Sequence, residues 1–499
     1  MNSRDGNPRS VALVLVLIVG LGLGLRLLGL NSQSLSNDEV LDWQVSLQPA
    51  DEILIEGDGF PPLYYLILKA WNRIFKGELS PRFLSVSLGT ATLIALWYYS
   101  ATELPQALAL WPVFFLAISP FHIFHSQEGR PYSLYYLASV VTLTLFGNAR
   151  RRDSTVSWLL FGVSCGVGLL VHYYFVFLIA TMGIIQLVDF GSQKRFRRRV
   201  LPLVFAMICC LPALMALLPD LQFQSGMSSQ TPFDIYAFGY SLFVFVAGYS
   251  LGPSTRDLHT LDPNVAIIQF LPWILILIFP ICYLLYTFLK TESRNFGRSA
   301  RTLSVLWILP ILFGGIASSL SSVGFKTQYV LISSPPLLVL IGMCAGISWR
   351  RSLGRVCVLT IALVSLLSVH NRITDDRYRT EDIREVAALL NQVAGDDEPV
   401  FVTAGYMADV LKHYLSGESG AVLPLSNVPD FGLKLDRVVK DVEGEINARQ
   451  NVFWLVYSRP FHGDPKGVLL EALLDKGLIT HYATFAGVDL FHGISPDTS

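Results

Sequence analysis

Charged residues are scarce in this chain of 499 residues. Lysine, arginine, aspartate and glutamate make up 15% of it, against roughly 25% in soluble domains. Hydrophobic residues make up 52%, and the mean hydropathy is +0.49. The basic residues are also spread in separate clusters, without the concentrated patch that binds nucleic acid. These shortages exclude a nucleic-acid-binding protein and indicate a polytopic membrane protein.

Cysteine is also rare, and its positions exclude two structural roles. All six cysteines lie in apolar segments, so we expect neither a disulfide framework nor a cysteine-ligated zinc site. They are interpreted as small buried hydrophobic residues. These cysteines are Cys165, Cys209, Cys210, Cys282, Cys344 and Cys357.

Long apolar runs predict eleven membrane-spanning helices. The first has arginines before it, as a secretory signal has, but residues 11–30 are long enough to cross about 30 Å of hydrocarbon and show no cleavage site. Residues 63–75 are apolar but short, and they predict an interfacial helix. Residues 236–251 predict a second interfacial or re-entrant helix. The spans are residues 10–30, 80–100, 105–121, 132–148, 155–171, 173–190, 200–218, 265–289, 302–320, 328–347 and 353–370.

Basic clusters between the spans predict the orientation of the chain. Positively charged loops remain in the cytoplasm, and every cluster falls on one side if the N-terminus is cytoplasmic. The opposite loops, 31–79, 122–131, 219–264 and 321–327, then face outward, as does the tail. The clusters lie at residues 150–152, 194–199, 290–301 and 350–355.

The composition changes to that of a soluble domain after residue 370. Apolar residues at helical spacing predict helices over 381–393 and 468–474. Residues 399–403 and 452–457 predict buried strands, and Gly487 divides a hairpin of 480–485 and 488–491. The predicted fold is therefore an α-helical polytopic membrane domain, residues 1–370, followed by a small extracytoplasmic α/β domain, residues 371–499.

Two adjacent carboxylates follow the first span. Asp38 and Glu39 lie at the mouth of a membrane segment, and Pro61 and Pro62 then turn the chain back toward apolar surroundings. Ionisable groups beside a bilayer are costly and indicate a functional site. The alternative is a solvated loop with an acidic helix start.

The second outward loop combines a carboxylate, a guanidinium, two imidazoles and a phenol. The fork of Arg130 suits phosphate or carboxylate recognition, although Glu128 would equally serve as its structural partner. His122 and His125 are three residues apart and would share a metal, or they are interfacial histidines. Tyr132 begins the next span.

Two further predicted outward loops carry polar residues. His172 lies in the turn between the fifth and sixth spans, where an interfacial aromatic belt is the alternative role. Lys326 and Tyr329 lie on either side of the start of the tenth span, and Lys326 would snorkel or bind an anionic headgroup. Four outward loops thus bring polar groups to one side of the membrane, a stronger indication of a site than any one loop.

These residues together resemble GT-C-fold glycosyltransferases, and more narrowly the bacterial members of glycosyltransferase family 39, the protein mannosyltransferase and aminoarabinose transferase group. Residues 325–336 resemble the family's Arg-Tyr-Leu and Pro segment, with Gln328 at the position of the family's arginine. Phe60 stands where the family commonly has a histidine. The other matching features are Arg26 followed by Asp38-Glu39, Pro61-Pro62-Leu63-Tyr64-Tyr65, residues 126–132 and His172-Tyr173-Tyr174.

The resemblance implies transfer of a sugar from a polyprenyl-phosphate donor, with inversion, to an acceptor that is a glycan, lipid or protein. It implies an inner (plasma) membrane protein in contact with membrane lipid, with the active site and C-terminal domain on the extracytoplasmic side. No cofactor is certain, and a divalent metal ion is a candidate with unknown ligands. The implied catalytic residues are Asp38 as base with Glu39 and Glu128 as positioning groups, and the implied substrate-binding residues are Arg130, Tyr132, His172, Lys326, Tyr329 and Tyr64.

A transporter or flippase of lipid-linked glycans is the alternative function. It would also need outward basic groups and a membrane cavity, but it would not need a carboxylate base. A structural or scaffold membrane protein has no use for the polar loops.

The predicted topology is testable with a reporter that is active only in the cytoplasm. Eleven spans and a cytoplasmic N-terminus place the tail outside, so the reporter fused after Ser499 should be silent. A bright signal from that fusion would contradict the orientation and the location of the site.

Overall fold

The computed structural model describes residues 7–55, 60–188, 204, 233–320, 324–395, 398–415, 422–425 and 452–494. The chain forms two compact units. The first comprises Met1–Leu30, Asp42–Leu251 and Leu271–Val369, and the second comprises Asn31–Leu41, Gly252–Phe270 and His370–Ser499. The second unit therefore contains two segments from earlier in the chain in addition to the tail. The assignment of catalysis to residues 1–370 stays a prediction.

The described part of the first unit is helical. Helix α2 is divided between the two units at Asp42, and α12 and α15 also extend into the second unit. A 3₁₀ segment, Thr327–Ser333, precedes α14. The helices are α1 Pro8–Leu27, α2 Asn37–Leu47, α3 Ala50–Ile55, α4 Leu63–Asn72, α5 Ser80–Glu103, α6 Gln106–Ile118, α7 Pro120–Gln127, α8 Tyr132–Arg152, α9 Thr155–Leu169, α10 Phe175–Val188, α11 Ile235–Ala247, α12 Pro263–Thr291, α13 Ser293–Leu320, α14 Ser334–Ser348 and α15 Ser352–Thr374.

The helices make the chain a multi-pass membrane protein, but the predicted count of eleven spans is not confirmed. Six helices in the described residues are long and apolar enough to cross a membrane, or seven if the bent pair α6 and α7 forms one span. Helices α9 and α10, at two predicted spans, have 15 and 14 residues, which corresponds to only about 22 Å at 1.5 Å per residue. The predicted span 200–218 lies outside the described residues apart from residue 204, as does the first part of the loop 219–264 and of the loop 321–327.

Two short apolar helices agree with the predicted non-spanning segments. Helix α4 has 10 residues and α11 has 13, so each is too short to cross the hydrocarbon layer. Helices α6 and α7 bend by 56° at their junction. The cause is Pro120, which begins α7 and cannot continue α6 because proline lacks the backbone N–H. The hydroxyl of Ser119 then caps α7 by accepting from the His122 N–H.

Helices α6 and α14 approach closely because α14 places two glycines four residues apart at the contact. A Cβ atom at Gly342 would lie 2.4 Å from the backbone nitrogen of Pro112, and one at Gly346 would lie 2.5 Å from the Trp111 ring. Small residues at this spacing let membrane helices pack backbone to backbone. The close packing fixes α14 and thus the 3₁₀ segment before it.

The second unit contains a five-stranded sheet with the order β2-β1-β3-β5-β4. Strands β2, β1 and β3 are parallel, and β3, β5 and β4 are antiparallel. Gly487 has a φ of +71° in the turn of the β4–β5 hairpin, a value that glycine adopts without steric cost. The strands are β1 Val400–Val402, β2 Val422–Pro424, β3 Val452–Ser458, β4 Ile479–Phe485 and β5 Val488–Ile494, and the helices are α16 Ile383–Val393, α17 Ala408–Tyr414, α18 Pro460–Gly463 and α19 Val468–Asp475.

The predicted elements of the tail are confirmed, and their ends agree with the predicted ones or differ by at most three residues. Strand β3 is buried along most of its length because its two faces are covered, which explains the continuous apolar run in its sequence. Phe401, Phe453 and Leu455 form the core of this sheet together with Leu469 and Leu473 of α19. The sequence did not predict β2.

Replacing Gly342 with alanine should destabilise the first unit. The new methyl group would collide with the backbone of α6, and overpacking of this kind costs roughly 1–3 kcal/mol. We expect a lower thermal unfolding midpoint in detergent micelles. Gly183→Ala in α10 is the matched control, because nothing lies within 4 Å of a Cβ atom there. Equal midpoints for the two variants would contradict the close contact.

Candidate functional site

Arg130 lies at the centre of residues from four separate segments of the first unit. Its guanidinium carbon is 5.2 Å from the centre of the Phe60 ring and 5.7 Å from that of Tyr132. The His172 ring lies 5.4 Å from Phe60 and 5.2 Å from Tyr329. These five residues form the Arg130 cluster. The structure therefore brings together four of the predicted substrate-binding residues and adds Phe60.

Asp42 provides the counter-charge of Arg130. An Nη1–Oδ2 distance of 3.1 Å joins the two buried side chains, and the Tyr65 hydroxyl donates to Asp42 Oδ1 at 3.0 Å. Glu128, the partner that the sequence offered as an alternative, instead lies 3.0 Å from His125 Nδ1. Sequence reasoning missed Asp42 and Tyr65. The available signal was the position of Asp42 one helical turn after Asp38, which puts both on one face of α2.

Burial strengthens the electrostatic interactions of Arg130. The side chain of Arg130 is 7% exposed, and aromatic rings on two sides exclude water and favour the cation through their π faces. A guanidinium held in a site of low polarity attracts a second anion more strongly than one in water does. The cluster is therefore suited to hold a phosphate beside an apolar wall.

His172 is a neutral hydrogen-bond donor in this cluster. Its Nδ1 accepts from the Tyr174 N–H at 3.2 Å, so the proton of the neutral ring is assigned to Nε2. Burial lowers the pKa of His172 to about 3, and the charge of Arg130 contributes. Its ring stacks on Tyr135 with the centres 4.4 Å apart. The buried Nε2 has no hydrogen-bond partner among the described residues, so it is available to a ligand.

Lys326 and Tyr64 lie at the edge of this arrangement. The Lys326 Nζ is 5.7 Å from the centre of the Tyr329 ring, so it provides a second cation beside the Arg130 cluster. Tyr64 is fully buried and packs edge-on against Tyr65. Their roles in substrate binding stay predictions.

Reciprocal hydrogen bonds fix the break between α6 and α7. Arg26 is fully buried and donates to the carbonyl oxygens of Leu116 and Ala117 at the end of α6 and to His122 Nδ1. Gln127 Nε2 donates to carbonyl oxygens at the end of α1, including that of Leu28 at 2.8 Å. Each helix end thereby receives the donors that it lacks internally. The hydrogen bonds of Arg26 and Gln127 hold α7 in place, and His125 and Glu128 lie in and directly after this helix.

The residues around Arg130 do not fit a metal site. No group of three histidine, cysteine, aspartate or glutamate side chains in the described residues is arranged to hold a metal ion. Phe60 contributes an apolar ring to the cluster and no metal-binding group. His122 Nδ1 is bound by Arg26, which opposes a shared metal between His122 and His125.

Asp38 and Glu39 belong to the second unit and differ in their surroundings. The Glu39 Oε2 accepts from the Ser36 N–H at 2.9 Å, and the Ser36 Oγ accepts from the Glu39 N–H at 3.3 Å. This reciprocal pair is a capping box, which starts α2. Glu39 is buried in that role, whereas Asp38 is exposed in the first turn. Asp38 is therefore the accessible carboxylate of the pair.

The fold belongs to the GT-C class. ArnT from Cupriavidus metallidurans, in its apo state, superposes with a TM-score of 0.58 at 14% identity, over 96% of this chain and 97% of that chain. The same protein bound to undecaprenyl phosphate gives 0.54 at 12% identity, over 96% and 98%. The oligosaccharyltransferase of Archaeoglobus fulgidus gives 0.55 at 11% identity, over 89% and 69%. The predicted resemblance to the GT-C fold is confirmed.

A sequence family supports the narrower resemblance over part of the chain. The family described as dolichyl-phosphate-mannose-protein mannosyltransferase matches residues 60–216. This segment contains Phe60, Arg130, Tyr132 and His172 of the Arg130 cluster. No curated protein sequence matches the chain significantly.

Asp42→Asn should destabilise the first unit more than Tyr65→Phe does. The asparagine would leave Arg130 buried without its counter-charge, which costs about 3–5 kcal/mol. The phenylalanine removes one hydrogen bond, worth about 1 kcal/mol. Unfolding midpoints in detergent micelles, followed by tryptophan fluorescence, compare the two variants. If the unfolding midpoint of Asp42→Asn falls no further than that of Tyr65→Phe, the ion pair does not stabilise this site.

Proposed function

We propose that this chain is an integral membrane glycosyltransferase that moves a sugar from a polyprenyl-phosphate donor to an extracytoplasmic acceptor hydroxyl. The observation that carries the proposal is the Arg130 cluster, in which a buried cation, a neutral imidazole donor and three aromatic rings meet. Cations are needed where the leaving phosphate develops charge. An apolar, aromatic wall suits a sugar that arrives on a lipid.

The donor is a lipid phosphate in this proposal for two reasons. The described residues of the first unit contain no glycine-rich phosphate loop between a strand and a helix, which nucleotide sites use. ArnT, whose fold this chain shares, has been solved with undecaprenyl phosphate. Arg130 binds the phosphate through its planar fork, and Lys326 adds a second positive charge at headgroup depth. The polyprenyl chain lies between apolar helices.

Asp38 is the general base. Its carboxylate accepts the proton of the acceptor hydroxyl while that oxygen forms a bond to the anomeric carbon. The bond between this carbon and the phosphate oxygen breaks, and its electron pair leaves with the phosphate. Attack opposite the leaving group inverts the anomeric centre. Glu39 holds the first turn of α2, and Glu128 orients His125 beside Tyr132, their rings 4.9 Å apart.

The acceptor is a glycan, lipid or protein, and the reaction takes place at the extracytoplasmic face of the inner membrane. These assignments follow from the predicted orientation and from the resemblance to family 39.

Sugar transfer by the purified protein in liposomes tests this function. The donors are polyprenyl phosphates that carry radiolabelled mannose or aminoarabinose, with nucleotide sugars in separate arms, and membrane extract from a deletion strain supplies the acceptor. We expect transfer from a lipid donor only. Asp38→Asn keeps the shape of the side chain but cannot take the proton, so turnover should fall by about 10²–10⁴ while donor binding is kept.

Asp51→Asn is the matched control, because Asp51 is also exposed in the first turn of a short helix. Its turnover should equal that of the wild type. Near-normal turnover in Asp38→Asn would remove Asp38 from the mechanism. Movement of the lipid donor across the bilayer without any transfer would establish a flippase instead.

A further inference from the structure

The segment before Asp38 is bound to the tail of the chain by hydrogen bonds within the second unit. The backbone N–H of Leu35 donates to the Tyr414 hydroxyl at 2.8 Å. The Ser34 hydroxyl donates to Asp382 Oδ1 at 2.9 Å and accepts from the Arg384 N–H at 3.1 Å. Residues 31–35, which we call the strap, therefore depend for their conformation on residues 348 to 379 positions later in the chain.

The remaining residues of the strap are bound in the same way. Gln33 Nε2 donates to the carbonyl oxygen of Arg372 at 3.0 Å, and its Oε1 accepts from the N–H and the hydroxyl of Thr380. Arg384 Nη1 donates to the carbonyl oxygen of Asn31 at 3.1 Å, and Arg379 Nη2 donates to that of Ser32 at 3.0 Å. Every residue of the strap thus has a partner between residues 372 and 414.

The tail residues that bind the strap are themselves fixed to the sheet. Glu381 lies 3.0 Å from Arg459 Nη2, and the Asp382 N–H donates to the carbonyl oxygen of Ala486 at 3.0 Å. Burial alone would raise the pKa of Glu381, but Arg459 holds it below its ordinary value. The carboxylate is therefore ionised at neutral pH, and the ion pair joins residues 380–384 to the end of β3.

Arg459 adopts an unusual backbone conformation for this contact. Its φ is +46°, in the left-handed region that costs a non-glycine residue free energy. The conformation turns the chain at the end of β3 and places the guanidinium between Glu381 and the Tyr406 ring, 5.5 Å from the ring centre. The surrounding contacts maintain this strained geometry.

The strap leads directly into the first turn of α2. Ser36, the residue after the strap, forms the capping box with Glu39, and Asp38 is two residues further. Because the capping box fixes the start of α2 relative to Ser36, the tail residues that hold the strap also hold the backbone at Asp38.

We propose that the second unit is a positioning device for Asp38, with Tyr414, Ser34 and Arg384 as positioning residues. The inference rests on the proposed function, because it assigns these residues to the placement of the proposed base. A displacement of about 1 Å in a catalytic group costs up to about 100-fold in rate. The tail of the chain then contributes to catalysis by holding the proposed base in place.

The test compares Tyr414→Phe and Ser34→Ala with the wild type in the liposome assay. Both variants should lower kcat by about tenfold and leave the KM for the lipid donor unchanged, since neither changes a residue of the Arg130 cluster. Hydrogen exchange of residues 31–41 should become faster in both. Combining Tyr414→Phe with Asp38→Asn should cost no more kcat than Asp38→Asn alone, because the two changes act through one carboxylate.

Tyr457→Phe is the matched control. Tyr457 donates from its hydroxyl to Asp464 in the same unit at 3.1 Å without touching the strap, so kcat should stay at the wild-type value. An unchanged kcat in Tyr414→Phe, or an equal loss in Tyr457→Phe, would overturn the positioning role while leaving the transferase function intact. Absence of transfer by the wild type would overturn the proposed function and this inference together.

Discussion

The buried ion pair between Arg130 and Asp42 is the interaction on which the candidate site depends. Removing two charges from water is costly, and the cost is offset only where each charge finds its partner and further hydrogen bonds. Tyr65 provides such a bond to Asp42, and the rings of Phe60 and Tyr132 enclose the guanidinium. The segments that carry these residues must therefore meet in one arrangement for the cation to be buried with its partners.

The bend between α6 and α7 depends on the same requirement, that every buried polar group has a partner. A bend within an apolar bundle frees backbone carbonyl and N–H groups, and lipid supplies no partners for them. Arg26 satisfies the carbonyl oxygens at the end of α6, and Gln127 satisfies those at the end of α1. Arg26 in the first helix therefore has a structural role. Its side chain is fully buried within the protein.

In the second unit, the proposed base Asp38 and the residues that hold the segment before it come from distant parts of the sequence. The alternation of the hairpin and the apolar runs of β1 and β3 predicted a small α/β domain, because these patterns are local. The recruitment of Asn31–Leu41 and Gly252–Phe270 into the same unit has no local signal. It results from side chains such as Gln33 and Arg384, whose polar groups are ordinary in the sequence and acquire partners only in the folded chain.

The sequence by itself determined the membrane class, the GT-C resemblance and most helices and strands, since composition and periodicity act over short distances. It also identified Arg130, Tyr132, His172 and Tyr329 as candidate site residues. Only the tertiary structure decided which side chains form ion pairs with one another. Spacing offered Glu128 for Arg130, yet Glu128 pairs with His125 and the counter-charge is Asp42. The choice among nearby carboxylates depends on which helix faces the guanidinium in the packed bundle, a long-range property that no local pattern encodes.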